Sequence, residues 1–208
     1  PPSGWISAED IYSAVQLGLL LHGQGALAEA KQCYERILSS VPRHTEALHM
    51  LGVVAAQRND PALAVQLMER ALAIEPGNAT IHFHCGNALH ALHRPVDALA
   101  SYEQAIASRS GYVEAHFGRA TMLRALGRHA EALATYNYVI TLEPRHADAF
   151  NNRGNVLKQC GRLEEALASY ERAIALNPAH AGAHNNRGNL LLRMGRLKEA
   201  LDSFDAAI

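Results

Sequence analysis

Small residues recur every 34 positions along this chain, so whatever structure it adopts must repeat as well. The series is glycine with one alanine: Gly18, Gly52, Gly86, Ala120, Gly154 and Gly188. Two other series keep the same spacing: Ala30, Ala64, Ala98, Ala132, Ala166 and Ala200, and Tyr34, Met68, Tyr102, Tyr136, Tyr170 and Phe204. A period of this length excludes a coiled-coil heptad and leaves room for two helices of about 12–14 residues. The sequence therefore predicts a stack of helical hairpins.

Each series has a physical reason. A glycine inside a helix costs roughly 1 kcal/mol relative to alanine, so its recurrence on one face predicts that a ring or backbone comes close there. We expect the aromatic residue of the same hairpin to fill that space. Six residues are predicted to end the first helices in a left-handed conformation: Gly25, Asn59, His93, Gly127, Gly161 and Gly195. Pro61 and Pro95 then suit the first turn of the second helix.

The repeated positions resemble the tetratricopeptide repeat (TPR), with a small residue at position 8, alanine at 20, an aromatic at 24 and proline at 32. The prolines are Pro42, Pro76, Pro144 and Pro178. The resemblance implies an all-α fold, a right-handed α-solenoid of helix-turn-helix hairpins. It leaves residues 1–10 as a lead-in and helix cap, followed by six units: 11–44, 45–78, 79–112, 113–146, 147–180 and the shortened 181–208. The sequence departs from the pattern at Ser110, Met68 and Ala120, so the junction of the third and fourth units is the least regular.

Composition narrows the possible functions. Nineteen basic and twenty acidic residues give a formal net charge of −1, so we expect neither nucleic acid nor an anionic membrane as partner. No apolar run is long enough to span a membrane, which favours a soluble, cytoplasmic protein. Arginine is far commoner than lysine, as in GC-rich bacterial genomes. No nucleophile elbow, phosphate-binding loop or paired carboxylates are found, so this chain alone is predicted not to be an enzyme and to need no cofactor.

The cysteines and histidines do not have the spacing of metal ligands. The cysteines stand at three different repeat positions and are predicted to be buried, reduced thiols: Cys33, Cys85 and Cys160. Four clustered histidines lack the spacing of a metal site, so no metal is expected: His82, His84, His90 and His93. Three others occupy position 34, where a side chain can accept from a free amide at a helix start: His44, His146 and His180.

The resemblance implies that the first helix of each unit lines a concave groove, mainly through positions 5, 6 and 9. In the fifth and sixth units these positions are all asparagine, a poor helix former whose amide can pair with any peptide unit. We therefore predict that an extended polypeptide is bound through an asparagine ladder and two neighbouring cations. The predicted residues are Asn87, Asn151, Asn152, Asn155, Lys158, Asn185, Asn186, Asn189 and Arg193. The alternative is that the two units are recent duplicates whose asparagines are solvated or bond neighbouring helices.

The earlier part of the groove is apolar at the same positions. Met50, Val53, Phe83 and Phe117 are candidates for a second contact surface, because aromatic anchors commonly carry binding energy. The alternative is that these side chains pack against the next helix.

The string at 183–189, Ala-His-Asn-Asn-Arg-Gly-Asn, resembles the superhelical TPR region of O-linked N-acetylglucosamine transferases and their bacterial relatives. In that family an asparagine ladder binds substrate and adaptor peptides, and a glycosyltransferase domain follows. The carboxylate clamp of TPR cochaperones needs lysine at position 5 and basic residues at 2 and 6, whereas position 2 here is Glu46, Glu114 or Asp148. Two functions remain open: a protein-interaction scaffold, and the substrate-recruiting arm of a larger enzyme.

The two ends of the chain carry further expectations. Ser7 with Asp10 forms a capping box, and Ile6 with Ile11 a hydrophobic staple. The last helix is predicted to present an apolar strip of Leu201, Phe204 and Ile208, through which the chain could self-associate. Because the sequence stops at Ile208, inside a second helix and before any proline or polar closing helix, we expect it to be a fragment of a longer protein.

Overall fold

The computed structural model describes residues 8–207, and within that range the chain forms twelve α-helices and no strand. The predicted all-α fold is confirmed. In order, the helices are α1 Ala8–Gly23, α2 Leu27–Ser40, α3 Thr45–Gln57, α4 Pro61–Leu72, α5 Ala79–Ala91, α6 Pro95–Ser108, α7 Val113–Ala125, α8 His129–Leu142, α9 Ala147–Gln159, α10 Leu163–Leu176, α11 Ala181–Arg193 and α12 Leu197–Asp205. No helix of the described part is long and apolar enough to cross a membrane.

The turns inside the hairpins have the predicted left-handed residues. The glycines at these turns have φ between 73° and 78°, and the two substitutes, Asn59 and His93, have φ of 62° and 57°. Pro61 and Pro95 occupy the first turn of α4 and α6, where no amide hydrogen is missed. The tight turn therefore reverses the chain after each first helix.

The predicted histidine caps are also confirmed. Nδ1 of His44 accepts from the amide of Ala47 at 3.2 Å, and Nδ1 of His146 accepts from that of Ala149 at 3.3 Å. His180 does the same for Ala183. These bonds satisfy amides that a helix start leaves without an intrahelical partner.

The two helices of a hairpin meet at the glycine of one and the ring of the other. A Cβ on Gly154 would lie 2.6 Å from the ring of Tyr170, and one on Gly18 would lie 2.7 Å from the ring of Tyr34. Real Cβ atoms do not approach so closely, so the predicted close contact is confirmed. The six alanines of the second series are all fully buried beside these contacts.

The chain divides into two compact units, each of which contains several repeat units: the first ends at Ser110 and the second begins at Gly111. From here on, the first and second unit mean these two compact units. The first holds α1–α6 and the second α7–α12. Within each unit, the second helix of one hairpin packs against the first helix of the next. The division coincides with the irregular junction, where serine replaces the repeat proline.

In two of the three hairpins of the second compact unit, an arginine on the first helix bonds a hydroxyl on the second helix of the same hairpin. Nη1 of Arg119 donates to Oγ1 of Thr135 at 2.7 Å, and Nε of Arg153 donates to Oγ of Ser169 at 3.2 Å. Both hydroxyl residues are buried. At the same two repeat positions of the second hairpin lie Leu51 and Leu67, which are buried hydrophobic residues. We call these positions, 7 and 23, the matched pair.

Four sequence expectations need correction or lie beyond the described residues. Only Cys85 is buried as predicted; Cys33 is half-buried, and Cys160 is exposed because it stands at the solvent-facing end of α9. The capping box and the staple each include a residue outside the described range, Ser7 and Ile6, and so does the apolar strip, Ile208.

The apolar strip also differs from expectation at Phe204. Its ring is half-buried and would lie 2.6 Å from a Cβ on Gly188, so it faces the core of its own hairpin. Leu201 does point away from that core, with 61% of its surface exposed, as does Leu197 with 67%. The exposed apolar face of α12 therefore consists of Leu197 and Leu201.

Candidate functional site

The first helices of successive hairpins touch one another inside each unit. In the second unit α7 contacts α9 and α9 contacts α11; in the first unit α1 contacts α3 and α3 contacts α5. The predicted site residues therefore divide between the two compact units, with Phe117 on α7 and the others on α3, α5, α9 and α11. We call the face of α9 and α11 the amide surface: Asn151, Asn152, Asn155, Lys158, Asn185, Asn186, Asn189 and Arg193. We call the face of α3 and α5 the apolar surface: Met50, Val53, Phe83 and Asn87.

The amide surface contains a chain of side-chain hydrogen bonds that joins its two helices. Nδ2 of Asn186 donates to Oδ1 of Asn151 at 2.9 Å, and Nδ2 of Asn151 donates to Oδ1 of Asn152 at 3.3 Å. Asn151 differs from the expectation of a groove-facing residue, because only 8% of its surface is exposed. It links its two neighbours, which are half-buried and hold their amides at the surface.

Position 9 is paired with the aromatic residue of the same hairpin. The hydroxyl of Tyr170 donates to Oδ1 of Asn155 at 2.9 Å, and that of Tyr102 donates to Oδ1 of Asn87 at 2.7 Å. Burial raises the pKa of both tyrosines, so both remain protonated donors. This pairing was missed in the sequence, and it gives Asn155 and Asn87 a role in the fold.

Asn189 lacks such a partner because its hairpin has Phe204 in place of tyrosine. Its Nδ2 donates instead to the backbone carbonyl of Asn185 at 2.9 Å, and both asparagines are exposed. A single bond to the preceding turn leaves the other donor and acceptor positions of that amide pointing to solvent. The packing of the hairpin therefore requires an asparagine side chain less at Asn189 than at Asn155.

Cations lie at one end of this surface, near the C-terminal ends of the helices. Lys158 on α9 is half-buried, and its pKa is lowered by burial and by the nearby charge of Arg193 on α11. Arg124 stands at the equivalent place on α7, and its Nε is buried without a hydrogen-bond partner among the described residues. None of the three forms an ion pair within the described part of the chain. This end of the amide surface is therefore positively charged.

The apolar surface of the first unit is half-exposed. Met50, Val53 and Phe83 are each partly accessible, and the ring of Phe83 lies 6.1 Å from that of Tyr102. Phe83 therefore both packs within its hairpin and presents an edge to solvent. Phe117 stands at the same repeat position on α7. It is also half-buried and stacks on His146, with ring centroids 4.9 Å apart.

A histidine pair next to the apolar surface was also missed in the sequence. Nε2 of His49 lies 2.7 Å from Nδ1 of His84, and the rings are stacked with centroids 4.9 Å apart. Burial and the neighbouring His84 lower the pKa of His49 to about 4, and burial lowers that of His84. The described residues contain no group of three or more His, Cys, Asp or Glu side chains placed to hold a metal ion.

Comparisons with known proteins give consistent results. A family model described as "Tetratricopeptide repeat" matches residues 15–79 and 86–151, another matches 135–168, and one described as "TPR repeat" matches 154–195. No curated protein sequence matches this chain significantly.

Solved structures with similar folds include YrrB, reported as a TPR protein with an unusual peptide-binding site. It is 26% identical with a TM-score of 0.75, covering 91% of this chain and 93% of that chain. PilW, a widely conserved type IV pilus biogenesis factor, is 18% identical with a TM-score of 0.85, covering 95% and 91%. MamA from Desulfovibrio magneticus RS-1 is 18% identical with a TM-score of 0.72, covering 78% and 92%.

Proposed function

Because this chain belongs to the tetratricopeptide-repeat family, whose model matches more than half of it, we propose that it is a protein-interaction scaffold. Its amide surface holds an extended partner segment by the peptide backbone, through asparagine side chains of α9 and α11. The role is binding, not catalysis. The observation that carries the proposal is Asn189, an exposed asparagine that the packing of its own hairpin does not require.

The chemistry of the amide supports backbone recognition. One asparagine side chain offers two donors and an acceptor oxygen, which is what a peptide unit needs whatever its side chain. Asn152, Asn185, Asn186 and Asn189 are half-buried or exposed, so their amides can reach a ligand. The side-chain oxygen of Asn155 accepts one hydrogen bond from Tyr170, which leaves its amide nitrogen as a donor for a ligand.

Preorganisation also supports the proposal. The bond from Asn186 to Asn151 joins α11 to α9, and Asn151 in turn bonds Asn152. Amides that are held in place before binding lose less conformational freedom when a ligand arrives. The same bonds fit the alternative that these asparagines only join helices, so the experiment must separate the two roles.

The similarity to YrrB points the same way, since that protein is reported to have a peptide-binding site and its fold extends over most of this chain. The apolar surface is proposed as a secondary contact, in which Phe83 and Met50 take an apolar side chain of the partner. The ring of Phe83 also packs on that of Tyr102, so this side chain serves the fold as well as the partner.

The test begins with peptides selected from a displayed library of random twelve-residue segments. The tightest binder is then titrated against the wild type and against Asn186→Ala with Asn189→Ala. Each lost amide contact should cost about 0.5–1.5 kcal/mol, so the double variant should bind roughly 5–150-fold more weakly. Gln104→Ala, which removes an exposed amide from α6 in the other unit, is the matched control and should bind normally.

Backbone recognition has a second, independent test. Methylating single backbone nitrogens of the selected peptide should abolish binding at particular positions, whereas replacing uncharged side chains at those positions by alanine should have little effect. If the double variant remains folded and binds as tightly as the wild type, the amide surface is not the binding site.

A further inference from the structure

We infer that the segment bound by the amide surface is acidic, with aspartate or glutamate side chains about three residues apart that contact Lys158, Arg193 and Arg124. The inference rests on the proposed function and adds the chemical class of the partner. It is carried by the placement of three cations on three successive contacting helices, together with the absence of an acidic partner for them among the described residues.

The register of the three side chains places them on one end of one face. Arg124 and Lys158 stand at position 12 of α7 and α9, and Arg193 stands at position 13 of α11. Each of these helices contacts the next, α7 with α9 and α9 with α11. The cations therefore form a row across the C-terminal ends of the helices that carry the asparagines.

Acidic residues on these helices are too distant to neutralise the row. Glu114 and Asp148 stand at position 2, ten residues earlier, which is about 15 Å along a helix axis. The carboxylate of Asp148 lies beside His180 instead, with its Oδ1 3.2 Å from Nε2 of that histidine. The positive charge of the row therefore remains available to a ligand.

Burial distinguishes Lys158 and Arg124 from ordinary surface cations, whereas Arg193 is exposed. Lys158 is half-buried, and its ammonium is disfavoured both by burial and by the charge of Arg193. The Nε of Arg124 is buried and has no acceptor among the described residues, and the side chain bonds only the neutral hydroxyl of Tyr136 there. Two like charges held together without an anion cost free energy that a carboxylate would relieve.

The spacing of the row selects a segment with several acidic side chains over a single terminal carboxylate. Packed helices lie about 8–10 Å apart, so three of them spread the cations over about 16–20 Å. An extended chain advances about 3.3 Å per residue, so carboxylates three residues apart match one cation each. A carboxylate clamp at positions 2, 5 and 6 is not involved, because this row lies at positions 12 and 13.

The experiment uses the same displayed library, selected separately on the wild type and on Lys158→Glu with Arg193→Glu. Peptides from the wild type should be enriched in acidic residues at three-residue spacing, and the charge-reversed variant should bind them at least tenfold more weakly. Lys198→Glu, an exposed lysine on α12, is the matched control and should leave binding unchanged. Binding to the wild type should weaken steeply as salt is raised.

The outcomes separate this inference from the proposed function. If no library peptide binds, the proposed function fails and the inference fails with it. If peptides bind and depend on Asn186 and Asn189 but are neutral or basic, only the acidic class is overturned. Loss of binding when the peptide C-terminus is amidated would also overturn it, in favour of a single terminal carboxylate. Should charge reversal prevent folding, Lys158→Gln with Arg193→Gln gives the same comparison.

Discussion

Replacing Tyr34 by phenylalanine should make the protein more stable, although it removes a polar group from the core. Tyr34 is fully buried, and its hydroxyl has no hydrogen-bond partner among the described residues. Burial raises the pKa of this hydroxyl to about 12. In later hairpins the same hydroxyl bonds position 9, but position 9 of the first hairpin is Leu19, which offers no acceptor.

The size of the effect follows from the unsatisfied hydroxyl. A buried polar group without a partner costs about 1–3 kcal/mol, and phenylalanine removes that cost while leaving the ring against Gly18 unchanged. The matched control is Tyr170→Phe, which takes away the donor to Asn155 and should cost about 1 kcal/mol. The same chemical change is therefore expected to have opposite signs in two hairpins of one chain.

Urea unfolding followed by circular dichroism measures both variants against the wild type. The midpoint should rise for Tyr34→Phe and fall for Tyr170→Phe, with the slope unchanged if only stability has altered. Equal destabilisation by both changes would refute the reasoning, because it would mean that the hydroxyl of Tyr34 is satisfied in solution.

Three further outcomes are expected. Gly86→Ala should destabilise the fold more than Gly52→Ala in thermal melts. The new methyl group meets a rigid ring at 2.7 Å in the former, and a methionine side chain at 3.1 Å and a backbone carbonyl at 3.3 Å in the latter; equal melting temperatures would contradict this. Because the folded pKa of His49 is lowered to about 4, the unfolded chain binds more protons between about pH 4 and 6.5, so stability should fall as pH drops through that window. His49→Leu should flatten that dependence in urea titrations at several pH values. Leu201→Glu, at an exposed apolar site of α12, should reduce any concentration-dependent association seen by light scattering, and unchanged association would exclude this face.

The hairpin architecture could be predicted because its determinants are local. Repeat positions 8 and 24, here Gly154 and Tyr170, are sixteen residues apart in every unit. The recurrence of this spacing predicts that the two positions are in contact. Turn residues such as Asn59 and caps such as His146 depend on backbone conformation within a few residues. Sequence reasoning is strongest for features of this kind.

The site was harder to predict because a side chain can serve the fold and a ligand in the same place. Asn155 bonds Tyr170, and the signal that could have revealed this is the comparison of positions 9 and 24 across the repeats. The burial of Asn151 depends on the packing of α11 against α9, which periodicity does not describe. The same holds for the stacked pair of His49 and His84, which come from different hairpins.

The matched pair at positions 7 and 23 has a consequence for how such a chain can change in length. Arg153 and Ser169 bond each other, and Leu51 and Leu67 are both buried at the same two positions, and each pair is contained in one hairpin. A duplication or deletion of 34 residues that begins and ends in the turns between hairpins carries both partners along. A duplication or deletion with its ends in the turn inside a hairpin combines the first helix of one hairpin with the second helix of another. An arginine at position 7 then faces a leucine at position 23, and its guanidinium is left without the hydroxyl that it bonds. Whole hairpins are therefore the pieces that recombination, or an engineer, can add and remove without rebuilding the core.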